Sequence, residues 1–510
     1  MTENIRQLLE QIERQTAGKC LFRCRRNGII EEVSSECFFE QIRVRSRIFL
    51  RMGLGGKKIG IMGRNSCEWM ISFCAVFWSG SVAVLLDREL REEELSGLVK
   101  RVELDGIVYD RSAAGVVCES SPGKELQRIP MSVFEDEASE EFGESENWKA
   151  EQQRIRNRKP EELACIFFTS GTTGISKAVM MSEHGMIAGI TSGINERNYE
   201  AFLAVLPFHH MAGFIMILNT MYLGTIICIA DDLKYFFQCL EQMKPDYVAV
   251  VPSMLPMLAR KVKRGGPNGR NLGWNLHSIH CGGAAFQSET LQVFLDQNIT
   301  VLQGYGASEA GGIGFLWEMT PDRPDTIGKP PKGMEVRITD GELYLRSESV
   351  MMGYYGDEEG TQEVLKDGWY ATGDLCRQDE EGYLYLIGRK KNLIILSNGE
   401  NVSPEEIERW FASCREIKEI KVGTEQNRIA AWICPQYPEN ASESEKAAVL
   451  DMIRDTVERC NQRVPLYKQI QKVIISERAL EKTASGKLIR RDKGEGGICD
   501  EGNDRTGSQE

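Results

Sequence analysis

The sequence predicts an α/β protein in which a large N-terminal domain precedes a small α+β domain. Three observations predict it. A chain of 510 residues is longer than one hydrophobic core usually organises. Short β-rich runs alternate with helix-like stretches from Lys58 to Gln303. After Gly388 the texture changes to a capped helix, two short strands and a second helix.

The first unit spans Lys58 to Leu86. An apolar run at Ile59–Met62, a helix starting near Ser66 and a second run at Val82–Leu86 make one β-α-β unit. The stretch from Ile71 to Leu86 is the most apolar in the chain. Ser79-Gly80-Ser81 interrupts it and it is too short for a bilayer, so a buried helix and strand are expected. Further strands are expected at Ala164–Phe168, Phe202–Leu206, Thr225–Ile229, Tyr247–Val251, Ser278–Cys281 and Thr300–Gln303, as in a doubly wound sheet. The polar stretch Glu135–Pro160 reads as a surface connection. Ser403-Pro404-Glu405-Glu406 opens a helix with a cap, a proline at its first position and a glutamate three residues after the cap. Strands near Ile420–Val422 and Ile429–Ile433 follow, then a helix with Val449, Ile453, Val457 and Cys460 at its apolar positions. The expected domains are therefore 1–388 and 389–493, with 494–510 a polar, disordered tail.

Composition narrows the function. The net charge of −13 argues against a nucleic-acid binder, because phosphate backbones demand Lys and Arg. A nucleotide site survives that argument, since backbone N–H groups hold phosphates without net charge. The 15 cysteines lie mostly in apolar runs, as at Cys74, Cys165, Cys228 and Cys281, and behave as small hydrophobes. Their odd count, with no secretory leader at Met1-Thr2-Glu3-Asn4, leads us to expect a reduced, cytoplasmic protein. Cys20 and Cys24 lack a second pair, so no zinc site is expected, and no transmembrane segment is expected either.

The strand Ala164–Phe168 runs into Thr169-Ser170-Gly171-Thr172-Thr173-Gly174-Ile175-Ser176-Lys177. Glycines let a backbone approach phosphate, hydroxyls donate to its oxygens, and Lys177 adds a positive charge. It is not a Walker loop, because the G-x-x-x-x-G-K-[ST] order is absent. Taken alone, such a cluster is more often a polar turn.

Order and company decide. The loop resembles the signature of the adenylate-forming superfamily, which includes acyl- and aryl-CoA synthetases, peptide-synthetase adenylation domains and firefly-type luciferases. The resemblance runs from about Lys58 to Arg491, with its motifs in sequence. Leu206-Pro207-Phe208-His209-His210-Met211-Ala212-Gly213 is similar to the acyl-pocket motif, with His210 at the family's histidine. Gly282-Gly283-Ala284-Ala285-Phe286 resembles the adenine-cradling segment. Tyr305-Gly306-Ala307-Ser308-Glu309 is similar to the tyrosine–glycine–threonine–glutamate motif. Thr372-Gly373-Asp374 resembles the ribose motif, Gly388-Arg389-Lys390-Lys391 the inter-domain hinge, and Ser485-Gly486-Lys487 the C-terminal lysine motif. Four positions depart from the pattern: Ser176 and Glu481 stand where proline is usual, Ala178 for glycine and Ser308 for threonine. None removes a catalytic group.

The resemblance implies a large multi-sheet N-terminal domain with a small mobile α+β lid. It implies that ATP and Mg²⁺ activate a carboxylic acid as an acyl-AMP. Carboxylate attack on the α-phosphorus brings anions together, so the residue types suit charge neutralisation and in-line positioning. Thr169, Ser170, Gly171, Thr172, Thr173, Gly174 and Lys177 would hold phosphates. Gly283, Ala284, Ala285, Tyr305, Gly306 and Ser308 would surround the adenine, with Tyr305 against its face. Asp374 and Arg389 would bind the ribose, Glu309 would bind Mg²⁺, and Lys487 would reach the reacting oxygens. Lys391 falls at the hinge, and Gly399 in Ser397-Asn398-Gly399-Glu400-Asn401 would line the thiol tunnel after the lid turns. Without their motifs, Glu309 and Lys487 would read as solvated charges, Tyr305 as a core aromatic, and the Asn398-Gly399 pair as a hairpin turn.

The acid and its acceptor are less defined. Residues 209–217 contain no carboxylate to pair a substrate ammonium, and an unpaired buried ammonium is costly, so free amino acids are disfavoured. Met211, Phe214, Ile215 and Gly311-Gly312 suggest an apolar, fatty-acid-like chain, with an aryl acid second. Coenzyme A is the expected acceptor; a carrier-protein phosphopantetheine is the alternative and requires a partner protein.

Overall fold

The computed structural model describes residues 2–120, 125–132, 152–153, 155–169, 176–192, 198–230, 232–282, 288–312, 315–323, 325–396, 400–412, 414–425, 428–438, 440–482, 488 and 490. Of the expected site residues, Ser170, Gly171, Thr172, Thr173, Gly174, Gly283, Ala284, Ala285, Gly399 and Lys487 lie outside these residues, as does the expected tail.

The first β-α-β unit forms as expected. Strands Lys58–Met62 and Val82–Leu86 pair in parallel, residue for residue. The helix between them, Cys67–Trp78, starts where Ser66 Oγ accepts the Trp69 N–H at 3.1 Å, and it is buried all round from Trp69 to Trp78. Leu163–Thr169 joins Val82–Leu86 in parallel, and Lys177–Ser182 returns antiparallel beside it. The seven-stranded sheet is completed by Gly353–Tyr354 at one edge and by Gly106–Tyr109 and Gln127–Pro130 at the other.

The remaining expected strands do not extend that sheet. They build a second sheet of eight strands, in which Ala201–Ala204, Ile226–Ile229, Tyr247–Val250, Ser278–Gly282 and Thr300–Tyr305 run parallel. Its far edge is Cys20–Arg26 with Ile29–Ser34, and Cys20–Arg26 pairs with Ile226–Ile229 across some two hundred residues of chain. The N-terminal domain is thus multi-sheet, as the resemblance implies, with two sheets sharing a core. Phe22 and Phe202 from one meet Ile59 and Phe167 from the other, with helices Cys67–Trp78 and Met211–Tyr222 between.

A five-stranded sheet follows: Glu335–Thr339, Glu342–Arg346, Leu365–Lys366, Trp369–Gln378 and Leu384–Arg389. Its alternating pattern, as in Glu342-Leu343-Tyr344-Leu345-Arg346, was legible but not read. Leu343, Leu345, Tyr370 and Leu384 give it its own core.

The C-terminal α+β unit has a separate core of Val402, Ile407, Phe411, Val422, Ile433, Val449, Ile453 and Val457. Its hairpin, Ile417–Glu425 with Arg428–Pro435, is longer than expected and gains a parallel third strand, Lys472–Ile475. Ser403 caps helix Pro404–Arg409 as expected, accepting from the Glu406 N–H at 3.3 Å. The Glu406 carboxylate accepts from Lys468 Nζ at 2.7 Å.

In the stretch Glu135–Pro160, Gln153, Arg156, Asn157 and Lys159 are exposed among the described residues, and two side chains anchor it to the core. Ile155 is fully buried, and Arg158 donates to Gly80 O at 2.8 Å and Leu163 O at 2.7 Å. Its guanidinium lies 3.0 Å from the Glu183 carboxylate, which in turn accepts the Ile5 N–H at 2.8 Å. The Arg158 side chain is buried here because two backbone carbonyls and the Glu183 carboxylate supply its partners. Among the described residues, no helix is long and apolar enough to cross a membrane.

Candidate active site

The phosphate-loop candidate is the connection of a β-hairpin. Thr169 and Lys177 are cross-strand partners, so the base of the loop is fixed by the sheet on both sides. Lys177 Nζ sits 4.3 Å from the centre of the Tyr354 ring, a cation–π contact. Tyr354 lies on the edge strand Gly353–Tyr354, paired opposite Val179, and its hydroxyl donates to Glu309 Oε1 at 3.0 Å. Burial, then the Glu309 charge, pushes the Tyr354 phenol well above its ordinary range, so it stays a donor.

Glu309 lies in a short 3-10 turn, Ser308–Ala310, just beyond Tyr305 and Gly306. Gly311 and Gly312 end that turn with φ of +74° and +68°. A Cβ on Gly311 would lie 2.4 Å from Ser349 O, and one on Gly312 would lie 2.6 Å from Met211 Cγ. Only glycine serves at such a place. The second contact sets the Glu309 turn against the start of helix Met211–Tyr222, whose N-cap is His210.

A second cluster centres on Asp374, in strand Trp369–Gln378. The Tyr305 hydroxyl donates to Asp374 Oδ2 at 2.7 Å, and Arg389 Nε lies 2.7 Å from Oδ1. Arg389 Nη1 also donates to Thr372 O at 2.9 Å, and Asp374 pairs with Arg389 in the sheet register. Burial opposes the Arg389 charge, yet Asp374, with Tyr305, Tyr370 and Glu309, raises its pKa. Tyr370 is raised by burial and then by the Glu309 charge, so the two clusters share one field. Glu309, Lys177, Tyr305, Asp374 and Arg389 are thereby brought together from four separate stretches of chain.

The acyl-pocket motif is held by residues the motif reading missed. Asn65 Oδ1 accepts the Phe208 N–H at 3.0 Å, and its amide donates to Leu206 O at 2.8 Å. His209 Nε2 lies 3.5 Å from Asp87 Oδ1, and the His209 and His210 rings are 4.4 Å apart. Both signals sat at the ends of the first β-α-β strands, where loops meet a site in such sheets. Phe214 is a correction. It is fully buried, 4.4 Å from the Phe73 ring and 5.4 Å from Phe167, and is a core aromatic.

Burial alone would raise the Asp87 pKa, but His209 and the Glu89 N–H bring it down to about 2. A carboxylate depressed below its unfolded value of 3.8 stabilises the fold above that value, and the benefit is lost as pH falls toward about 2. Asp87→Asn is expected to lower stability at pH 7 by on the order of 1 kcal/mol, discounted for partial exposure. It should also flatten the urea midpoint between about pH 4 and pH 2. Parallel denaturation series of the two proteins check this; equal acid limbs would refute the pairing.

Lys391 follows in a short turn, Lys390–Asn392, where Lys390 Nζ reaches Glu342 at 2.7 Å. Just before it, Ile387 O accepts from Ser403 Oγ at 3.0 Å and from Arg409 Nη2 at 2.8 Å. A Cβ on Gly388 would lie 2.2 Å from Ser403 Oγ, so strand and helix cap touch through a bare backbone.

Residues 37–355 match the family described as AMP-binding enzyme, well over half of the chain. The chain belongs to the AMP-binding enzyme family. Residues 391–494 match the AMP-binding enzyme C-terminal domain, the part with the separate core. This AMP-binding enzyme is 30% identical over 371 residues to 4-coumarate–CoA ligase-like 3 of Arabidopsis thaliana. That match covers 67% of this chain and 64% of the relative. It is 26% identical to 2-succinylbenzoate–CoA ligase of Bacillus cereus, over 86% of this chain and 88% of the relative. Its fold is similar to that of O-succinylbenzoate coenzyme A synthetase from Bacillus subtilis, solved with ATP and magnesium. The TM-score is 0.76 and the identity 22%, over 95% of this chain and 98% of the other. The AMP-binding enzyme thus has the architecture of adenylate-forming CoA synthetases, in a family whose named relatives are CoA ligases.

Proposed function

We propose that this enzyme joins a carboxylic acid to coenzyme A through an acyl-AMP, releasing pyrophosphate and then AMP. The observation that carries the reading is the single cluster of Lys177, Tyr354 and Glu309 beside Tyr305, Asp374 and Arg389. In the first step a substrate carboxylate oxygen bonds to the α-phosphorus and the bond to pyrophosphate breaks. In the second, the thiolate bonds to the acyl carbon and AMP leaves.

Asp374 presents its carboxylate between Tyr305 and Arg389, and a carboxylate accepts at about four lone-pair sites, which suits two ribose hydroxyls. Arg389, with Nε 2.7 Å from Oδ1, would hold the Asp374 carboxylate in place. Glu309 is a half-buried carboxylate with one oxygen engaged by Tyr354. Among the described residues no cluster of three metal-binding side chains occurs. A single carboxylate fits Mg²⁺, which takes one or two carboxylates and completes its shell with phosphate and water. The ion, when bound, would neutralise phosphate charge during attack. Lys177 and the hydroxyls of residues 169–173 would hold the phosphates, His210 would face the acid, and Lys487 would neutralise the reacting oxygens.

The acid we favour is apolar and lacks an α-amine, because Met211 and Ile215 pack on Gly312 and no carboxylate accompanies His210 in its motif. Incubation with Mg²⁺, ATP, coenzyme A and a panel of fatty, aryl and amino acids tests this, read by thioester mass and nucleotide products. AMP, pyrophosphate and acyl-CoA from an apolar acid are expected. ADP as the product would overturn the reaction class. Amino-acid-dependent turnover without response to fatty or aryl acids would overturn the substrate, and thioester formed solely on a carrier protein would overturn the acceptor.

A further inference from the structure

Segment 349–355 belongs to no motif used so far, yet it touches both halves of the phosphate site. On one side it holds the Glu309 turn. The Met351 N–H donates to Glu309 O at 2.8 Å, Ser349 Oγ donates to Ala310 O at 2.9 Å, and Gly311 packs on Ser349 O. On the other side it is sewn to the strand that begins with Lys177. The Met352 N–H donates to Met180 O at 2.9 Å and the Tyr355 N–H to Ala178 O at 2.8 Å. Tyr354 sits between these anchors with 4% of its surface exposed. Its ring lies under the Lys177 ammonium and its hydroxyl is on Glu309 Oε1.

We propose that Tyr354 is the positioning residue that sets the Glu309 carboxylate for the metal and ties its orientation to Lys177. This rests on the reading of Glu309 as the Mg²⁺ ligand. The hydroxyl can only donate to an ionised carboxylate, so it engages Oε1 and makes no demand on the lone pairs of the other oxygen. It also removes a rotation that an exposed glutamate would lose on binding an ion. The tyrosine ring fixes the other partner: the ammonium above its face is drawn to the same place whether or not phosphate is present. The Lys177 ammonium at the start of a strand and the Glu309 carboxylate on its short turn are thereby held at one separation.

Tyr354→Phe separates these parts, because it deletes the hydroxyl and keeps the ring under Lys177. Outer partners of metal ligands commonly contribute 10–100-fold to metal affinity. The Mg²⁺ concentration that half-saturates adenylation is expected to rise about tenfold in Tyr354→Phe, with KM for the acid unchanged. The same shift is expected without turnover, in calorimetric titration of Mg²⁺ with α,β-methylene-ATP, a non-reacting analogue. Glu309→Gln is the companion arm. If it leaves the Mg²⁺ dependence unchanged, the metal reading itself fails. If Glu309→Gln shifts that dependence and Tyr354→Phe does not, the positioning inference alone fails. The double variant should be no weaker toward Mg²⁺ than Glu309→Gln, since the hydroxyl acts through that carboxylate; additive losses would overturn it. Fluorotyrosine at position 354 keeps shape and hydroxyl and should preserve the Mg²⁺ dependence. If it shifts the dependence as Phe does, packing and not the hydrogen bond is responsible. Should Tyr354→Phe fold poorly, the fluorotyrosine protein and Glu309→Gln decide by the same calorimetric readout.

Discussion

Lys487→Ala is expected to slow acyl-AMP formation by about 10²–10³-fold, the usual scale for losing one charge-neutralising contact made mainly in the transition state. The same protein should still convert supplied acyl-AMP and coenzyme A into thioester. On the proposed alternation, adenylation would need the lysine in the site and the thiol would need that space, so the two halves should respond in opposite ways to the small domain's position. Lys391→Pro should show the reverse pattern, because a fixed φ at the link restricts rotation after the first step. Gly399→Leu should copy it by filling the path of the thiol. Single-turnover kinetics of each half-reaction discriminates. Equal slowing of both halves by Lys487→Ala, or normal thioester formation in the other two, would sink the alternation reading.

Glu183→Ala is the largest stability loss we expect, about 3–5 kcal/mol. Glu183 is 2% exposed and Arg158 9%, so truncating one leaves the other charged and buried. Burial raises the Glu183 pKa and Arg158 opposes that rise, the balance expected of a desolvated pair. The loss should appear as a lowered urea midpoint with an unchanged slope. Arg158→Met together with Glu183→Ala should recover part of it, since an apolar pair strands no charge. A fall below 1 kcal/mol for the single variant would show that water relaxes the site.

Local signals carried the sequence reading far. The span Lys58–Leu86 was legible to its cap, because the strand period, the Ser66 cap and the apolar helix agree. What failed was non-local. Nothing in Ala201–Ala204 tells it to join Ile226–Ile229 and Tyr247–Val250, not Val82–Leu86, and so the division into sheets came from the resemblance and not from the strand pattern. The anchoring role of Arg158 had no local signal, because its partners Gly80, Leu163 and Glu183 lie elsewhere in the chain. The site followed the same rule. Glu309, Asp374 and Arg389 were found by motif, whereas Tyr354 was missed because a two-residue strand has no period to read. Phe214 carried the right chemistry for a pocket and the wrong address, since helix faces are assigned by packing. Its neighbours Met211 and Ile215, one turn around, abut Gly312 instead.

The Ser403 hydroxyl serves two masters, and the consequence is mechanical. Its acceptor side caps helix Pro404–Arg409, a bond internal to the small domain. Its donor side goes to Ile387 O, on the strand before the link. A swing of the small domain about residues 389–391 must break the second bond and the two Arg409 donations, but not the first. Water can replace Ile387 O as the hydroxyl's partner, while the helix never loses its cap. The latch is therefore made of polar contacts with ready substitutes, and no apolar core has to be torn open. If the small domain turns there as proposed, such a joint would release and re-engage with little hysteresis, like a detent and not a weld.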